Sequence, residues 1–224
     1  MSATYKPVGW TRAKLVYDAV LVLGVCLYIV AYMRLAPSAR PSALLLDEGS
    51  LLIRALGTCA FILLSLVLCI GPLVRLDRRF VPLLYNRRHF GVITCAVSAA
   101  HLMAVIDWYL AFSPLDPWVA LFAVDSRFEA LRGFPYVPFG IAAFVILLLL
   151  ASTSHDFWLN FLTPPVWKAL HMSIYGAYGL VVAHVAFGAL QDARGAALPA
   201  LIGGSALIVP VSYTHLRAHE TVLD

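Results

Sequence analysis

Four histidines in two apolar stretches carry the most chemistry in this chain. His89 and His101 lie in YNRRHFGVITCAVSAAHLMAVIDWY, residues 85–109, and His171 and His184 in WKALHMSIYGAYGLVVAHVAFG, residues 167–188. An ionisable group inside a membrane-length span is costly and marks a functional candidate, although a neutral imidazole can be satisfied by hydrogen bonds between helices. Taken singly, each histidine reads as a packing or hydrogen-bonding residue. Taken as two pairs on two spans, they favour haem iron held by imidazole on both faces. Such an iron keeps no open position for oxygen or substrate, so it passes single electrons, at a potential tuned by burial and by bonds to its ligands.

The elements that must position these rings are membrane helices. With 62% hydrophobic and 12% charged residues and a mean hydropathy of +0.86, a chain of 224 residues has more apolar surface than a soluble core would bury. The net charge of +4 sits in short basic clusters between apolar runs, where it reads as a topology determinant and not as a nucleic-acid surface. Cys26, Cys59, Cys69 and Cys95 lie within apolar spans without metal-ligand or disulfide spacing and read as small packing residues. The first apolar run has no convincing cleavage site and reads as an uncleaved span.

Crossing the hydrocarbon core takes about 20 apolar residues. Six runs qualify, near 15–33, 51–74, 89–111, 136–152, 167–190 and 196–210, the fourth and sixth being short. The expected fold class is therefore all-α integral membrane, a six-transmembrane-helix bundle binding haem between helices 3 and 5. Lys6, Arg12, Lys14, Arg75, Arg78, Arg79, Arg87, Arg88 and Lys168 fall on one side, against Arg34, Arg40, Arg127, Arg132 and Arg194 on the other. The excess predicts a cytoplasmic N-terminus. Spans three and five then run in the same direction. His89 pairs with His171 near the inner face and His101 with His184 near the outer face, roughly 18 to 20 Å apart along the axis, room for two haems b. At 100° per residue, however, the two rings of one straight helix point roughly 120 to 140° apart, so a bulge, a tilt or haems entering from different flanks are needed.

Around these rings, Arg87, Arg88 and Lys168 stand where haem propionates would lie, though topology alone explains them. Gly91, Ala99, Ala100, Gly176, Gly179 and Gly188 leave room for a porphyrin or for close helix packing. His155 reads as a turn or capping residue, and Asp107 as an interfacial acid or a ligand-orienting group. Asp18 and Asp107 are the acids within spans, both near ends. The outer stretch 112–135, with Trp118, Leu121, Phe122 and Phe128, reads as an amphipathic segment on the membrane surface.

The run LLYNRRHFGVITCAVSAAH, followed by ASTSHDFWLNFLTPPVWKALHMSIYGAYGLVVAH, resembles the ferric-reductase-like transmembrane family. The likeness lies in its bacterial branch of haem-binding membrane subunits, which includes that of a periplasmic methionine-sulfoxide reductase system. The matching elements are the Arg87-Arg88 opening with Gly91 and His101 downstream, then Thr153, Ser154, Trp158, Trp167, Leu170, His171 and His184. YKPVGWTRAKLVYD and CIGPLVRLDRRFVPLLYNRRHFGV are similar to members in which the module precedes a Rieske domain. The resemblance implies a cytochrome of the bacterial inner membrane, taking electrons from a quinone or a flavin reductase and passing them to an acceptor or a fused Rieske domain. Any [2Fe-2S] cluster would sit in a domain beyond this sequence, which holds no motif for it. By itself the chain would be an electron-transfer component of an oxidoreductase. The domain is expected to occupy 1–210, truncated at its C-terminus. VSYTHLRAHET, within 211–224, reads as a translated sequencing adapter, which excludes His215 and His219 as ligands. The rival reading is a polytopic transporter whose histidines bind metal or relay protons, which would predict more carboxylates within the spans.

Overall fold

Within a bilayer only a helix or a closed barrel satisfies every backbone N–H and C=O, and the apolar runs of this chain form helices. In a computed structural model the described residues are 11–39, 47–112 and 135–190, with isolated positions at 116, 118–119, 200 and 203–205. In chain order the helices are α1 (Arg12–Ala39), α2 (Glu48–Leu76), α3 (Val81–Tyr85), α4 (Arg87–Phe112), α5 (Val137–Ser152), α6 (Asp156–Phe161), α7 (Pro164–Met172) and α8 (Ile174–Phe187).

Four stretches are long and apolar enough to cross a membrane: Arg12–Ala36, Glu48–Leu76, Arg87–Trp108 and Pro164–Phe187. α5 is shorter, at 16 residues, roughly 24 Å of helix. The chain is a multi-pass membrane protein, all-helical among the described residues. Most of the expected sixth span, most of the segment 112–135 and the 211–224 tail lie outside the described residues.

α2 is the helix around which the others gather: it packs most extensively on α4 and also touches α1 and α8, while α5 packs on α8 and on α4. Two apolar cores result. Phe61, Leu64, Leu68, Cys95, Leu147, Ala177 and Tyr178 fill the space shared by α2, α4, α5 and α8. Leu56, Cys59, Leu63, Val67, Ile70, Phe90 and Val97 fill the space between α2 and α4 on the side of α1. The cysteines in these cores serve as small apolar groups.

Several hydroxyl groups inside the spans are satisfied locally. The Thr94 hydroxyl donates to Phe90 O at 2.9 Å and the Thr153 hydroxyl to Leu149 O at 2.8 Å, the back-bonding that lets a short hydroxyl side chain sit in a helix. At the other end of α5, Tyr136 leads into Pro138 in the first turn, where a missing N–H costs nothing. Asp47 caps α2, accepting from Ser50 N at 3.2 Å and from the Ser50 hydroxyl at 2.6 Å. The Ser50 hydroxyl first, then the Ser50 backbone N–H and the Trp108 indole, hold the Asp47 carboxyl below its usual range. His155 caps α6 by accepting from Phe157 N at 3.2 Å.

A candidate haem site between the third and fifth spans

The outer pair of histidines meets. The ring centres of His101, on α4, and His184, on α8, are 6.5 Å apart with their planes at 81°. With metal–nitrogen bonds of about 2.0 Å, rings at this spacing are close enough that His101 and His184 could hold one metal ion between them. Each ring is held through its other nitrogen. His101 Nδ1 lies 3.0 Å from the carbonyl oxygen of Ile53 on α2, and His184 Nδ1 lies 2.9 Å from that of Tyr136 before α5. A carbonyl only accepts, so in the neutral ring Nδ1 carries the proton and Nε2 keeps the lone pair that binds a metal.

Two glycines make space for these rings. A Cβ on Gly57 would come within 3.0 Å of His101 Cε1, and one on Gly140 within 2.7 Å of His184 Nδ1. Real Cβ atoms do not approach so closely, so any other residue at Gly140 must push the imidazole aside. Gly188 is equally confined, its Cβ position lying 2.7 Å from Tyr136 Cδ2. Tyr136 itself faces His184 at 5.4 Å between ring centres. Glycines singled out in the sequence for porphyrin clearance, Gly91, Gly176 and Gly179, have nothing within 4 Å of a Cβ.

The inner pair is arranged differently. His171 Nδ1 lies 3.1 Å from Trp167 O, one helical turn back, and its ring stacks on the Trp167 indole at 3.8 Å. Its Nε2 is buried with no hydrogen-bond partner among the described residues. Arg88 lies with its guanidinium carbon 5.3 Å from the Trp167 ring centre, a cation–π contact that ties α4 to α7. His89 turns instead to α1, where its Nδ1 is 2.8 and 3.0 Å from the two carboxylate oxygens of Asp18. α4 is unbroken from Arg87 to Phe112, and twelve residues rotate a side chain by about 120°, so His89 and His101 face different neighbours. On the fifth span the phase is interrupted. α7 ends at Met172 and α8 begins at Ile174, with the Ser173 hydroxyl donating to Leu170 O at 2.7 Å.

Of the charged residues expected near propionates, Arg88 stands against Trp167, and Lys168 is exposed at the start of the fifth span. Asp107 lines a cavity of about 650 Å³ with Asp47, Glu48 and Trp108, next to the turn of α4 that carries His101. Asp18, Gly57, Gly140 and Tyr136 were not legible as site residues. Only their pairing with the histidines across helices, 48 residues apart for Tyr136 and 71 for Asp18, reveals them.

The ferric reductase like transmembrane component model matches residues 56–182, more than half of the chain. Among curated proteins, the chain is similar to the protein-methionine-sulfoxide reductase heme-binding subunit MsrQ of Bordetella pertussis. The two are 31% identical over 133 residues, 59% of each chain. The subunit of the same name from Caulobacter vibrioides is 30% identical over 133 residues, 59% of this chain and 58% of the other. The chain thus spans about three-fifths of the length of these relatives. No solved structure matches it.

Proposed function

Because the chain belongs to the ferric reductase like transmembrane component family, we propose that it is a b-type cytochrome relaying electrons across the membrane, with one haem b held by His101 and His184. The observation that carries this reading is the 6.5 Å spacing of the two rings, each with Nδ1 committed to a carbonyl. The similar subunits whose names describe them as heme-binding support the cofactor.

A bis-imidazole haem supplies one-electron exchange without change of its coordination shell. The chain's own residues do the rest. Ile53 O and Tyr136 O fix the rotation and tautomer of the two rings, which sets their basicity. Gly57 and Gly140 let α2 and α5 approach these rings closely. The apolar core around Phe61 and Tyr178, which stack at 6.0 Å, keeps water from the space between the spans.

One observation favours a second, inner haem: the buried Nε2 of His171, which has no partner among the described residues. Arg87, Arg88 and Lys168 are then the propionate partners, and His89, its Nδ1 held by Asp18, is the second ligand through Nε2. The proposed setting is a six-helix bundle in a bacterial inner membrane with its N-terminus in the cytoplasm. The donor is a quinol or a flavin reductase, and the acceptor lies outside or in a fused Rieske domain.

The relay is tested in liposomes loaded with ferricyanide and given an impermeant reductant outside. Reconstituted chain is expected to bleach the trapped ferricyanide, and His101→Ala and His184→Ala to abolish this. Equal bleaching by empty liposomes and by the variants would contradict the relay.

A further inference from the structure

The four imidazoles of the spans differ in what holds Nδ1. His101, His171 and His184 present it to the backbone carbonyl oxygens of Ile53, Trp167 and Tyr136, at 3.0, 3.1 and 2.9 Å. His89 presents it to a side chain instead, 2.8 and 3.0 Å from the two carboxylate oxygens of Asp18 on α1. A carboxylate inside an apolar helix is costly and marks a functional candidate. The pair is largely withdrawn from solvent, with side-chain exposures of 24% for His89 and 22% for Asp18, so water dilutes the interaction less than it would at a surface.

Anchoring α1 does not require this charge. The Tyr28 hydroxyl already ties α1 to α2, donating to Thr58 Oγ1 at 2.9 Å, and Leu21, Val25 and Ile29 pack on the apolar core between α2 and α4. A carbonyl and a carboxylate both accept the Nδ1 proton and leave Nε2 as the metal-binding nitrogen. Only the carboxylate draws that proton toward a negative charge, which gives the ring imidazolate character and makes Nε2 the stronger electron donor. Stronger donation from an axial ligand favours ferric over ferrous iron. The first turn of α4 also meets the fifth span where the second inner histidine lies. Arg88, beside His89, stands 5.3 Å from the Trp167 ring centre, and Trp167 stacks on His171 at 3.8 Å.

We propose that Asp18 is a positioning residue that makes the inner haem the lower-potential one of the two, by holding Nδ1 of its ligand His89 with a charged acceptor where both outer ligands have neutral ones. The inference rests on the two-haem form of the electron-relay reading and gives that relay a direction. An electron passing from the inner pair toward His101 and His184 then runs downhill, oxidising the first iron and reducing the second, with no bond made or broken and no proton moved. Hydrogen bonds to charged groups exceed those between neutral groups by roughly tenfold in equilibrium constant. For a one-electron couple, tenfold corresponds to about 59 mV.

The test is a spectroscopic redox titration of the detergent-purified full chain, the inner couple being the one that disappears in His89→Ala. In the unmutated chain it is expected to be the lower of the two. Asp18→Asn keeps the shape and an oxygen acceptor and removes the charge. It is expected to retain both haems, to raise the inner midpoint by about 59 mV, the tenfold change in ferric preference, and to leave the outer midpoint in place. Asp18→Glu is expected to restore the low value. Tyr28→Phe, which loosens α1 without touching the pair, is expected to move neither midpoint. An inner couple above the outer one in the unmutated chain would overturn the proposal, whether or not Asp18→Asn keeps its haem. Two haems whose midpoints are the same in Asp18→Asn would also overturn it, while leaving the relay intact. A single haem that survives His89→Ala removes the inner haem and this role of Asp18 together, and a colourless chain removes the relay itself.

Discussion

At the scale of single residues, the site is defined by what surrounds each imidazole. Histidine recurs four times in the spans, and its type and rough depth are legible in the sequence, but its partner is not. His101 and His89 share one helix and differ in neighbours because a 12-residue separation is not a whole number of turns. Gly140 makes the sharpest prediction. Gly140→Ala places a methyl 2.7 Å from His184 Nδ1, so the ring must move and the bond to Tyr136 O is lost. The expected result is reduced haem content or a shifted Soret band, with Gly179→Ala, in open space, as the unaffected control. A second prediction concerns Asp47. Its carboxyl titrates below the usual range when folded, so the cap stabilises α2 above the unfolded carboxylate pKa of about 3.9. That contribution is lost as pH falls through the lower, folded value. Ser50→Ala removes the largest cause, so its destabilisation, read as a drop in thermal midpoint, is expected to shrink as the pH is lowered through that window.

At the scale of elements, the span pattern was legible because apolar length is a local property. The expected third span, 89–111, is observed as Arg87–Phe112, and the expected fifth, 167–190, as Pro164–Met172 followed by Ile174–Phe187. The break at Ser173 was legible only as a need, since the phase of His171 and His184 did not fit a straight helix. Its position depends on a hydroxyl-to-carbonyl bond that no periodicity reports. The end of α5 is joined to α7 by Trp167 Nε1 donating to Thr153 O at 2.9 Å. Trp167→Phe removes that bond while keeping an aromatic ring against His171. A loss of about 1 kcal/mol is expected, measured as a lower denaturation midpoint. Ser173→Ala tests the break itself: a straightened fifth span would rotate His171 relative to His184, visible as a change in helix-to-helix distances between spin labels on the two halves.

At the scale of the whole molecule, the bundle gathers on α2, which supplies the carbonyl that orients His101 and the glycine that accommodates its ring. Nothing in the composition of Glu48–Leu76 announces this role. The histidines stand out by residue type, and the helix that positions them does not. The same assembly directs His101 and His184 toward each other and His89 toward α1, which divides the four histidines into a joined outer pair and two separately held inner residues. The most direct measurement of the central claim is the oxidised-minus-dithionite-reduced visible spectrum of the purified chain, with haem counted per chain by the pyridine haemochrome method. Low-spin b-type bands are expected, with a count that falls by one in His101→Ala and in His184→Ala, and an outer haem that survives His89→Ala. A colourless protein from haem-replete cells, or a full haem count in both outer variants, would contradict it.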